Sequence, residues 1–418
     1  MTGATGRGLK IAIVGAGTAG LAVATLLARQ GHEVVIYERF ASAAPVGAGI
    51  MIQPTGLACL AELGADQEAI ALGRVMHGID GLTQSGREVF NLDYAALTPK
   101  CFGLAMHRGG LFHVLSGAVA RAGVTLTMEH DIVDAPEAGW QRRLVDARGG
   151  EHGPFDLVID ASGARSRLRR AHADVRLEKP YPYGALWATV PEPEGWPTPH
   201  RLTQRYRSAR EMCGLLPLGT PPGFNRPQMA FFWSLPVGER ERWKSESFEA
   251  WKGRVHDLWP EAARTIEHFT RHEDVAFATY SDMWLVRPDD RGIVFVGDAA
   301  RSASPQLGQG ANMALIDALL LARHLDSATQ ADLHARLDAY GRARRAHTRF
   351  YGFASWLLTP FFQSNSVLAG ALRDVTFKPM ARVPYVRREM VRTLTGMKTG
   401  LFTSFDPGVL NGAYTMRG

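Results

Sequence analysis

A glycine-rich turn near the amino terminus constrains the fold of this chain more than any other feature. A short apolar run at residues 11–14 leads into Gly15, Gly17 and Gly20, and a helical pattern follows over residues 21–30. In a strand–turn–helix unit the first glycine permits the tight turn. The second lets the backbone approach a pyrophosphate, and the third lets the helix pack closely on the strand. The spacing predicts the first unit of a doubly wound, Rossmann-type parallel sheet.

An acidic residue, Glu38, ends the second apolar run at residues 34–37. A carboxylate about twenty residues beyond the glycine turn can accept hydrogen bonds from an adenosine ribose with a free 2′-hydroxyl. The helix N-terminus offers unpaired N–H groups to phosphates. A purely structural turn without a ligand is the alternative. We assign to the nucleotide half of a cofactor Gly15, Gly17, Ala19, Gly20, Glu38 and Arg39.

A second motif lies about 280 residues downstream, where Gly297 and Asp298 follow the apolar run 292–296. Asp298 then lies at the carboxyl edge of a strand, where it can hold ribityl hydroxyls. The loop 304–310 leads into a helical pattern, and a helix N-terminus beside a flavin N1/C2=O edge stabilises the reduced anion. A fold that binds only NAD has no use for this second motif, so the sequence favours FAD. A capped helix with an incidental aspartate is the alternative.

These motifs, in this order over residues 11–325, resemble the group A flavoprotein monooxygenases of the para-hydroxybenzoate hydroxylase type. Gly297 and Asp298 resemble the riboflavin-binding motif of that family. Arg108 resembles the arginine that opens a helix beside the ribityl chain and pyrophosphate, and residues 47–50 are similar to the loop along the mobile edge of the flavin. The loop at the flavin ring is matched by Pro305, Gly308, Gly310, Ala311 and Asn312.

The resemblance implies a FAD-dependent monooxygenase that hydroxylates an aromatic or polyketide-like small molecule. NAD(P)H would reduce the FAD, O2 would form the C4a-hydroperoxyflavin, and its distal oxygen would attack the ring. We expect Pro305 and Gly308 beside the reacting flavin edge, His107 as a candidate base and Arg207 as a candidate for holding a substrate carboxylate. One alternative is a FAD oxidase, a dehydrogenase or an enzyme reduced by a partner flavin reductase. Another is a flavin-binding carrier without catalysis.

Two departures from the family pattern bear on the reductive half of this chemistry. Ser162 stands where the family usually has the aspartate of an Asp-Gly pair, and a hydroxyl cannot fully replace a charged acceptor. Asp160, two residues earlier, is a poor substitute for that aspartate if the strand continues as far as Ser162. Ser162 motivates the partner-reduced alternative, and we expect aspartate at this position to speed reduction. Arg301 stands where histidine often follows the Gly-Asp-Ala-Ala sequence.

The fold class is α/β (α+β overall), with an inserted antiparallel sheet and a helical C-terminus. We expect residues 1–177 with 286–340 to form a discontinuous FAD-binding domain and 178–285 a substrate-binding β-sheet domain. Residues 341–418 then form a helical segment. We also expect a loop and helix over 47–63, a helix over 105–123 and a break at Pro360. Pocket candidates on the inserted sheet are Tyr206, Arg207, Arg210, Met212, Phe232 and Trp233.

Composition excludes several other classes of protein. The net charge is +6, but the basic residues are scattered in sequence, which argues against a nucleic-acid partner. Three distant cysteines without metal-binding spacing predict neither a disulfide nor a metal site. Apolar runs are too short for a membrane span, and we expect a cytoplasmic monomer or homodimer. The apolar segment 351–362 packs on the FAD domain, forms a dimer contact or docks on a membrane surface.

Overall fold

The structure, a computed structural model, describes residues 8–41 and 49–408. The strands, in chain order, are β1 (Lys10–Val14), β2 (Glu33–Tyr37), β3 (Gly49–Ile52), β4 (Arg74–Met76), β5 (Gly78–Thr83), β6 (Glu88–Asp93), β7 (Gly103–His107), β8 (Thr125–Thr127), β9 (Ile132–Asp134), β10 (Glu137–Ala138), β11 (Gln141–Asp146), β12 (Glu151–Phe155), β13 (Leu157–Asp160), β14 (Val175–Pro191), β15 (Arg201–Arg207), β16 (Glu211–Gly219), β17 (Gln228–Pro236), β18 (Ala276–Leu285), β19 (Asp289–Asp290), β20 (Ile293–Phe295) and β21 (Arg301–Ser302). The α-helices are α1 (Thr18–Arg29), α2 (Pro54–Glu62), α3 (Asp66–Leu72), α4 (Arg108–Arg121), α5 (Arg167–His172), α6 (Arg240–Ser245), α7 (Phe248–Leu258), α8 (Pro260–Thr265), α9 (Gly310–Leu325), α10 (Leu333–Phe362), α11 (Val367–Arg382) and α12 (Pro384–Leu394).

The predicted parallel sheet is present, with the strand order β19-β20-β13-β1-β2-β8, in which the short edge strand β19 runs antiparallel to β20. Strand β1 is buried on both faces from Ile11 to Val14 because these four residues are all apolar, and it pairs in parallel with β2 and β13. The order of the strands reverses between β1 and β13, where Val14 lies opposite Asp160. Open parallel sheets bind ligands at the carboxyl end of such a reversal. The fold-class prediction is confirmed, and this edge is where a cofactor site is expected.

The second large sheet has eight strands in the order β21-β18-β14-β17-β16-β15-β5-β6. Its centre comes from residues 178–285 and pairs antiparallel, as predicted. Strands β5 and β6 come from the amino-terminal third, however, and β5 pairs in parallel with β15. The predicted domain boundaries place these two strands in the FAD-binding domain. The local sequence of a short hairpin does not indicate which sheet the hairpin joins.

The two faces of the eight-stranded sheet pack against different partners. Leu215, Phe231 and Trp233 lie in a cluster with helices α6–α8, and Trp251 meets Trp233 edge to face at 6.5 Å. The alternating residues, such as Phe232, belong to the main core shared with the parallel sheet. The face with Phe232 is therefore the one that a flavin in the neighbouring sheet can reach.

Three predicted elements differ from the structure. Residues 103–107 form strand β7, so the helix predicted over 105–123 begins only at Arg108. Residues 49–52 form strand β3 against β7 instead of a loop, while Gly47 lies outside the described residues. Pairing between β3, β7 and β4 outweighs the helical pattern of the local sequence. Helix α10 continues through Pro360, which removes one N–H from the last turn without breaking the helix.

Helices α10–α12 form the carboxyl-terminal part of the described chain. The face of α10 with Tyr351, Ala354 and Ser355 is buried, and the Tyr351 hydroxyl donates to the Thr393 carbonyl at 2.7 Å. A Cβ on Gly352 would lie 2.4 Å from the Trp284 ring, which shows how closely α10 packs on the sheet. Among the described helices, none is long and apolar enough to cross a bilayer.

Candidate functional site

The glycine turn after β1 has the geometry that its sequence predicts. Gly15 has φ +103°, and a Cβ there would lie 2.7 Å from the Ala161 carbonyl oxygen. A Cβ on Gly20 would lie 2.0 Å from the Gly15 oxygen, so only glycine lets α1 approach the strand. Among residues 8–41 and 49–408, a Cβ on Gly17 would meet only that Ala161 oxygen, at 3.9 Å. The backbone at Gly17, which opens α1, therefore presents an open surface.

Glu38 lies buried beside this turn. Its carboxylate accepts a hydrogen bond from the Ala16 N–H at 2.8 Å and one from the Phe40 N–H at 3.2 Å. These bonds hold the carboxylate at the end of β2, where the sequence places the ribose contact. Arg39 is exposed, with its guanidinium 4.6 Å from the centre of the Phe40 ring.

The second motif meets the first in space. A Cβ on Gly297, which has φ +58°, would lie 3.1 Å from the Ala19 Cβ in the first turn of α1. Asp298 follows with an exposed side chain, yet the surrounding protein is dense enough to raise the pKa of its carboxyl by desolvation. The cations of Arg108 and Arg301 oppose that rise. The two motifs, 280 residues apart, thus meet at one edge of the parallel sheet.

A buried polar network that the sequence analysis missed supports the Gly297 turn from behind. Asp317 in α9 accepts a hydrogen bond from the Gly297 N–H at 2.8 Å and one from the Arg344 guanidinium at 2.6 Å. Arg344 also contacts His347, whose Nε2 lies 2.8 Å from the Gly396 carbonyl oxygen. Burial, followed by the charges of Arg344 and Arg301, holds the pKa of His347 well below its usual range. The network ties the carboxyl-terminal segment to the predicted ribityl site.

The loop before α9 lies next to these motifs. Pro305 opens a short 3-10 turn, and Gly308 has φ +60°. Within the described chain no side chain caps the N-terminus of α9, which begins at Gly310. Ala311 is partly buried against the main core. The N-termini of α9 and α1 therefore both keep N–H groups for a ligand.

Asn312 fastens this loop to the edge strand β3. Its side-chain oxygen accepts a hydrogen bond from the Gln53 N–H at 2.8 Å, and its amide donates to the Met51 carbonyl at 3.3 Å. The Asn312 side chain is fully buried, so it holds the loop against β3 and does not face a ligand. Its predicted role as a flavin contact can belong only to its backbone.

His107 and Arg108 lie at the junction of β7 and α4. The Nδ1 atom of His107 accepts a hydrogen bond from the Gly109 N–H at 3.0 Å, which caps the helix. Burial, with the charge of Arg108, lowers the pKa of His107, so the ring is neutral and carries its proton on Nε2. That ring has no free lone pair to accept a proton. The geometry therefore gives His107 a capping role in place of the predicted base.

Arg207 is not brought to the site. It donates to the Gln84 side chain at 3.0 Å and pairs with Glu211 at 3.2 Å. Its neighbour Tyr206 lies in the main core, so Arg207 points to the opposite face of β15. Trp233, another pocket candidate, also lies on that opposite face. The sequence could not establish which alternate residues of the sheet point inwards.

The loop after β13 holds the departure noted at Ser162. Asp160 is buried and accepts hydrogen bonds from the Ser162 N–H at 2.9 Å, the Ser162 hydroxyl at 2.6 Å and the Ser166 hydroxyl. Burial raises the pKa of Asp160, and the bonds from the two serines oppose that rise. Asp160 and Ser162 therefore share one local cluster. Strand β13 ends at Asp160, and the turn that follows brings the Ser162 hydroxyl back to the Asp160 carboxylate.

Arg169 is a second residue that the sequence analysis did not select. It is fully buried and donates to the Ala164 carbonyl at 2.7 Å, with longer contacts to the Asp298 and Ala299 carbonyls at 3.5 and 3.4 Å. It thereby joins the loop after β13 to the Gly297–Asp298 turn. Its only signal in the sequence is a place in the short basic run 165–170.

Aromatic residues form the wall of the eight-stranded sheet that faces these motifs. Trp187 and Phe232 lie on adjacent strands with ring centres 4.8 Å apart, and the Trp187 indole N–H donates to the Tyr280 hydroxyl at 3.1 Å. Arg108 acts electrostatically on Tyr280, so this wall lies close to the cofactor motifs. Of these three aromatic residues, only Phe232 was a pocket candidate from sequence. Two other candidates, Tyr206 and Met212, also lie in the main core.

A polar group lies where the sheet meets the loop before α9. The Tyr181 hydroxyl donates to the Gln363 side chain at 2.8 Å, and the Ser304 N–H donates to Asp282 at 3.1 Å. Burial raises the pKa of both Tyr181 and Asp282. The sequence offered no signal for these residues, because their strands bring them together only in the folded sheet.

The residues present fit FAD. Around one sheet edge lie two helix N-termini without side-chain caps in the described chain and a buried carboxylate at the end of β2. The same edge carries an exposed acidic side chain that feels the charges of two arginines. The open backbone at Gly17 suits a pyrophosphate, and Asp298 suits polyol hydroxyls. A parallel sheet with this edge, joined to a large and mostly antiparallel sheet, is the architecture expected of a FAD-dependent oxidoreductase.

The particular family follows from comparison with known proteins. A family model described as "FAD binding domain" matches residues 8–350, and the chain belongs to this family. The chain is 29% identical over 356 residues to a 6-hydroxynicotinate 3-monooxygenase of Bordetella bronchiseptica, covering 81% of this chain and 88% of that protein. It is 26% identical over 427 residues to a 6-methylpretetramide 4-monooxygenase of Streptomyces rimosus, covering 97% and 98%.

Solved structures share the fold. The HpxO protein of Klebsiella pneumoniae, in complex with FAD and uric acid, superposes with a TM-score of 0.77 at 19% identity, covering 93% of this chain and 98% of that one. A 2-methyl-3-hydroxypyridine-5-carboxylic acid oxygenase superposes with a TM-score of 0.74 at 20% identity, covering 90% and 99%. The predicted FAD cofactor and monooxygenase class are confirmed by the family and its named relatives.

Proposed function

We propose that this FAD-dependent monooxygenase hydroxylates a flat, hydroxyl-bearing aromatic ring, with NAD(P)H as the source of electrons. The observation that carries the proposal is the aromatic wall of Trp187 and Phe232 opposite the cofactor motifs. Flat aromatic faces favour an offset-stacked ring as a ligand. The relatives named above are a monooxygenase of 6-hydroxynicotinate and one of 6-methylpretetramide, which supports a ring-bearing small molecule as the substrate.

Bound FAD supplies the transfer of electrons and the activation of oxygen, and the protein supplies position and charge. The N-terminus of α9 places partial positive charge at one end of the site, which stabilises negative charge on a bound group. Asp298 and Glu38 orient hydroxyl groups of the cofactor. Trp187 and Phe232 exclude water from the face where the ring lies.

Tyr280 and Arg108, beside the wall, suit a phenolic substrate. A Tyr280 hydroxyl that accepts from Trp187 keeps its own proton to donate, so it can bind a phenolate or carbonyl oxygen. Arg108 lies near enough to act on Tyr280 and favours an anion there. Substrate deprotonation is therefore favoured by charge, and His107, which is neutral and caps α4, is not needed as a base.

The proposal is tested by anaerobic reduction of the purified protein with NADH and with NADPH, each with and without hydroxylated aromatic ligands. We expect bleaching of the flavin absorption band, faster in the presence of a ligand that is then hydroxylated in air. Trp187→Leu should weaken binding of that ligand while FAD content stays unchanged. Trp196→Leu, on the sheet's other side among the helices, serves as the matched control.

Two results would favour another function. Flavin that stays oxidised with both nucleotides, but is reduced by an added flavin reductase, would support the partner-reduced alternative that Ser162 motivates. Reduction by a substrate alone, without either nucleotide, would support a dehydrogenase or oxidase. Unchanged ligand affinity in Trp187→Leu would remove the aromatic wall as the substrate site.

A further inference from the structure

The carboxyl-terminal helices expose an unusual amount of apolar surface. Of the 19 large hydrophobic residues that are exposed in the described chain, 12 lie beyond residue 350. Trp356 is 68% exposed, Val367 76% and Leu368 78%. We call the following set the carboxyl-terminal apolar face: Phe353, Trp356, Leu357, Val367, Leu368, Leu372, Val375, Met380, Val383 and Tyr385. Single exposed apolar residues need no explanation, but a set this concentrated marks an interaction surface.

Helical spacing makes this face continuous along α10. Phe353, Trp356 and Leu357 are three and four residues apart, so they lie on one side of the helix, and the Phe353 and Trp356 rings are 5.9 Å apart. In α11, Leu368, Leu372 and Val375 repeat the same spacing. The opposite side of α10, with Tyr351 and Ser355, is the side that packs on the protein. Thus only half of the segment 351–362 follows the expected packing on the rest of the chain.

Basic residues extend the exposed side of α10 towards its N-terminus. Arg342, Arg345 and Arg349 precede Phe353 at steps of three and four residues, and each is exposed. Near α12, Arg382, Arg387 and Arg388 are exposed as well. None of these arginines forms an ion pair within residues 8–41 and 49–408. Their charges are therefore available to an external partner.

The charge of the chain is strongly segregated. Residues 341–418 contain 12 Lys and Arg and 3 Asp and Glu, a net charge of +9. The remaining 340 residues contain 35 and 38, a net charge of −3. The excess positive charge of the whole protein, +6, thus comes from this segment alone. The excess is spread over the segment in single residues and short groups, so no long basic run marks it in the sequence.

We propose that the carboxyl-terminal apolar face docks this enzyme on the surface of a membrane that contains anionic lipids. Exposed Trp, Phe and Leu side chains next to exposed arginines are the composition of a helix that lies in a bilayer interface. Anionic headgroups attract such arginines, and the apolar side chains enter the acyl boundary. A second copy of the chain is a poorer occupant, because pairing two faces brings together two segments of +9. The proposal does not depend on which ring the enzyme hydroxylates.

Sedimentation of the FAD-loaded full chain with vesicles tests the proposal. We expect binding to vesicles of phosphatidylcholine mixed with phosphatidylglycerol and little binding to phosphatidylcholine alone. About 1 M salt, where the Debye length falls to about 3 Å, should release most of the bound protein. Arg345→Gln should weaken binding about fivefold. Trp356→Glu should reduce the bound fraction about tenfold.

Matched variants separate docking from loss of folding. Trp140 is 56% exposed in the hairpin between β10 and β11, so Trp140→Glu should bind vesicles like the unaltered protein. Arg148→Gln, at an exposed turn, is the control for charge. Absence of binding to the anionic vesicles, or equal binding by Trp356→Glu and Trp140→Glu, would overturn the proposal. So would a dimer in solution that Trp356→Glu converts to a monomer, because a second copy would then cover the face.

Discussion

At the scale of single residues, Asp298 combines exposure with an unfavourable environment for its own charge. Burial of its surroundings raises the pKa of the carboxyl, while Arg108 and Arg301 oppose the rise. An acidic group held in this way is poorly satisfied by the protein alone, and hydrogen bonds from ligand hydroxyls satisfy it. Such environments are typical of functional sites.

Asp298→Asn should therefore weaken FAD binding by roughly 10- to 100-fold, since a hydrogen bond to a charged group contributes about 1.5–3 kcal/mol. The measurement is FAD content after dialysis, followed by titration of the stripped protein. Asp257→Asn, at an exposed position in α7, is the control. Equal FAD retention in both variants would remove Asp298 from the cofactor site.

The surroundings of Ser162 lead to a prediction about stability that the sequence alone does not give. An aspartate at this position would put a second carboxylate where the Ser162 hydroxyl now lies 2.6 Å from Asp160. Like charges this close are costly, so Ser162→Asp should lower the free energy of unfolding by about 1–3 kcal/mol. Ser162→Ala, which only loses a hydrogen bond, should cost about 1 kcal/mol.

Urea denaturation of the stripped protein compares these two variants, and stopped-flow reduction by NADPH is measured alongside. The sequence predicts faster flavin reduction in Ser162→Asp. The structure predicts that the same variant is less stable. A Ser162→Asp protein as stable as the unaltered one would show that the loop rearranges to separate the two carboxylates.

His347 makes stability depend on pH in a definite direction. The unfolded chain binds a proton near the ordinary His pKa of about 6.5, whereas the folded protein keeps His347 neutral to a lower pH. The full stability contribution is therefore present above about pH 6.5 and is lost as the pH falls. The free energy of unfolding should decrease by up to about 1.4 kcal/mol per pH unit below that point.

His347→Gln should remove most of this slope, because glutamine can donate to Gly396 and accept from Arg344 without titrating. Urea denaturation between pH 7.5 and 5.5, about one unit either side of the ordinary pKa, measures it. His334→Gln, with a side chain that is 73% exposed, should keep the slope. A slope that survives in His347→Gln would assign the pH dependence to other groups.

At the scale of elements, the turn between β1 and α1 contains one glycine that matters for binding FAD and another that matters for folding. A Cβ at Gly17 finds space, whereas one at Gly20 meets the Gly15 backbone. Gly17→Ala should therefore fold normally, with a small capping loss, but bind FAD roughly tenfold less tightly because the methyl group lies where the pyrophosphate approaches. Gly20→Ala should lower the free energy of unfolding by about 1–3 kcal/mol even without FAD.

Thermal denaturation of both stripped variants, with FAD titration of whichever folds, gives the comparison. A Gly17→Ala protein with unchanged FAD affinity would place the pyrophosphate elsewhere. A Gly20→Ala protein of unchanged stability would show that α1 can move away from the strand at little cost.

What the sequence predicted correctly at this scale is local in the chain. The Gly15–Gly20 turn and the helix that starts at Gly310 each depend on a few consecutive residues. Arg169 could not be predicted in the same way, because its contact with the Asp298 carbonyl joins residues 129 positions apart. The orientation of Phe232 and Trp233 was also beyond the sequence, since both faces of that sheet are buried and apolar.

At the scale of the whole molecule, cofactor, ring-binding wall and proposed membrane contact occupy different parts of one continuous fold. The wall of Trp187 and Phe232 faces the cofactor motifs, and helix α10 joins the same sheet to the carboxyl-terminal apolar face. The Asp317–Arg344–His347 network lies between them. A displacement of the carboxyl-terminal segment can therefore be transmitted through this network to the Gly297 turn.

The strand orders of the two large sheets also decide when each can be completed during synthesis. The parallel sheet begins with β1 but gains β19 and β20 only from residues 289–295, and the eight-stranded sheet begins with β5 but ends with β21 at residues 301–302. Neither sheet can be finished while its last strands remain in the ribosome. The nascent chain must therefore keep two incomplete apolar sheets in solution until nearly three quarters of it has emerged, which makes it a demanding client for chaperones.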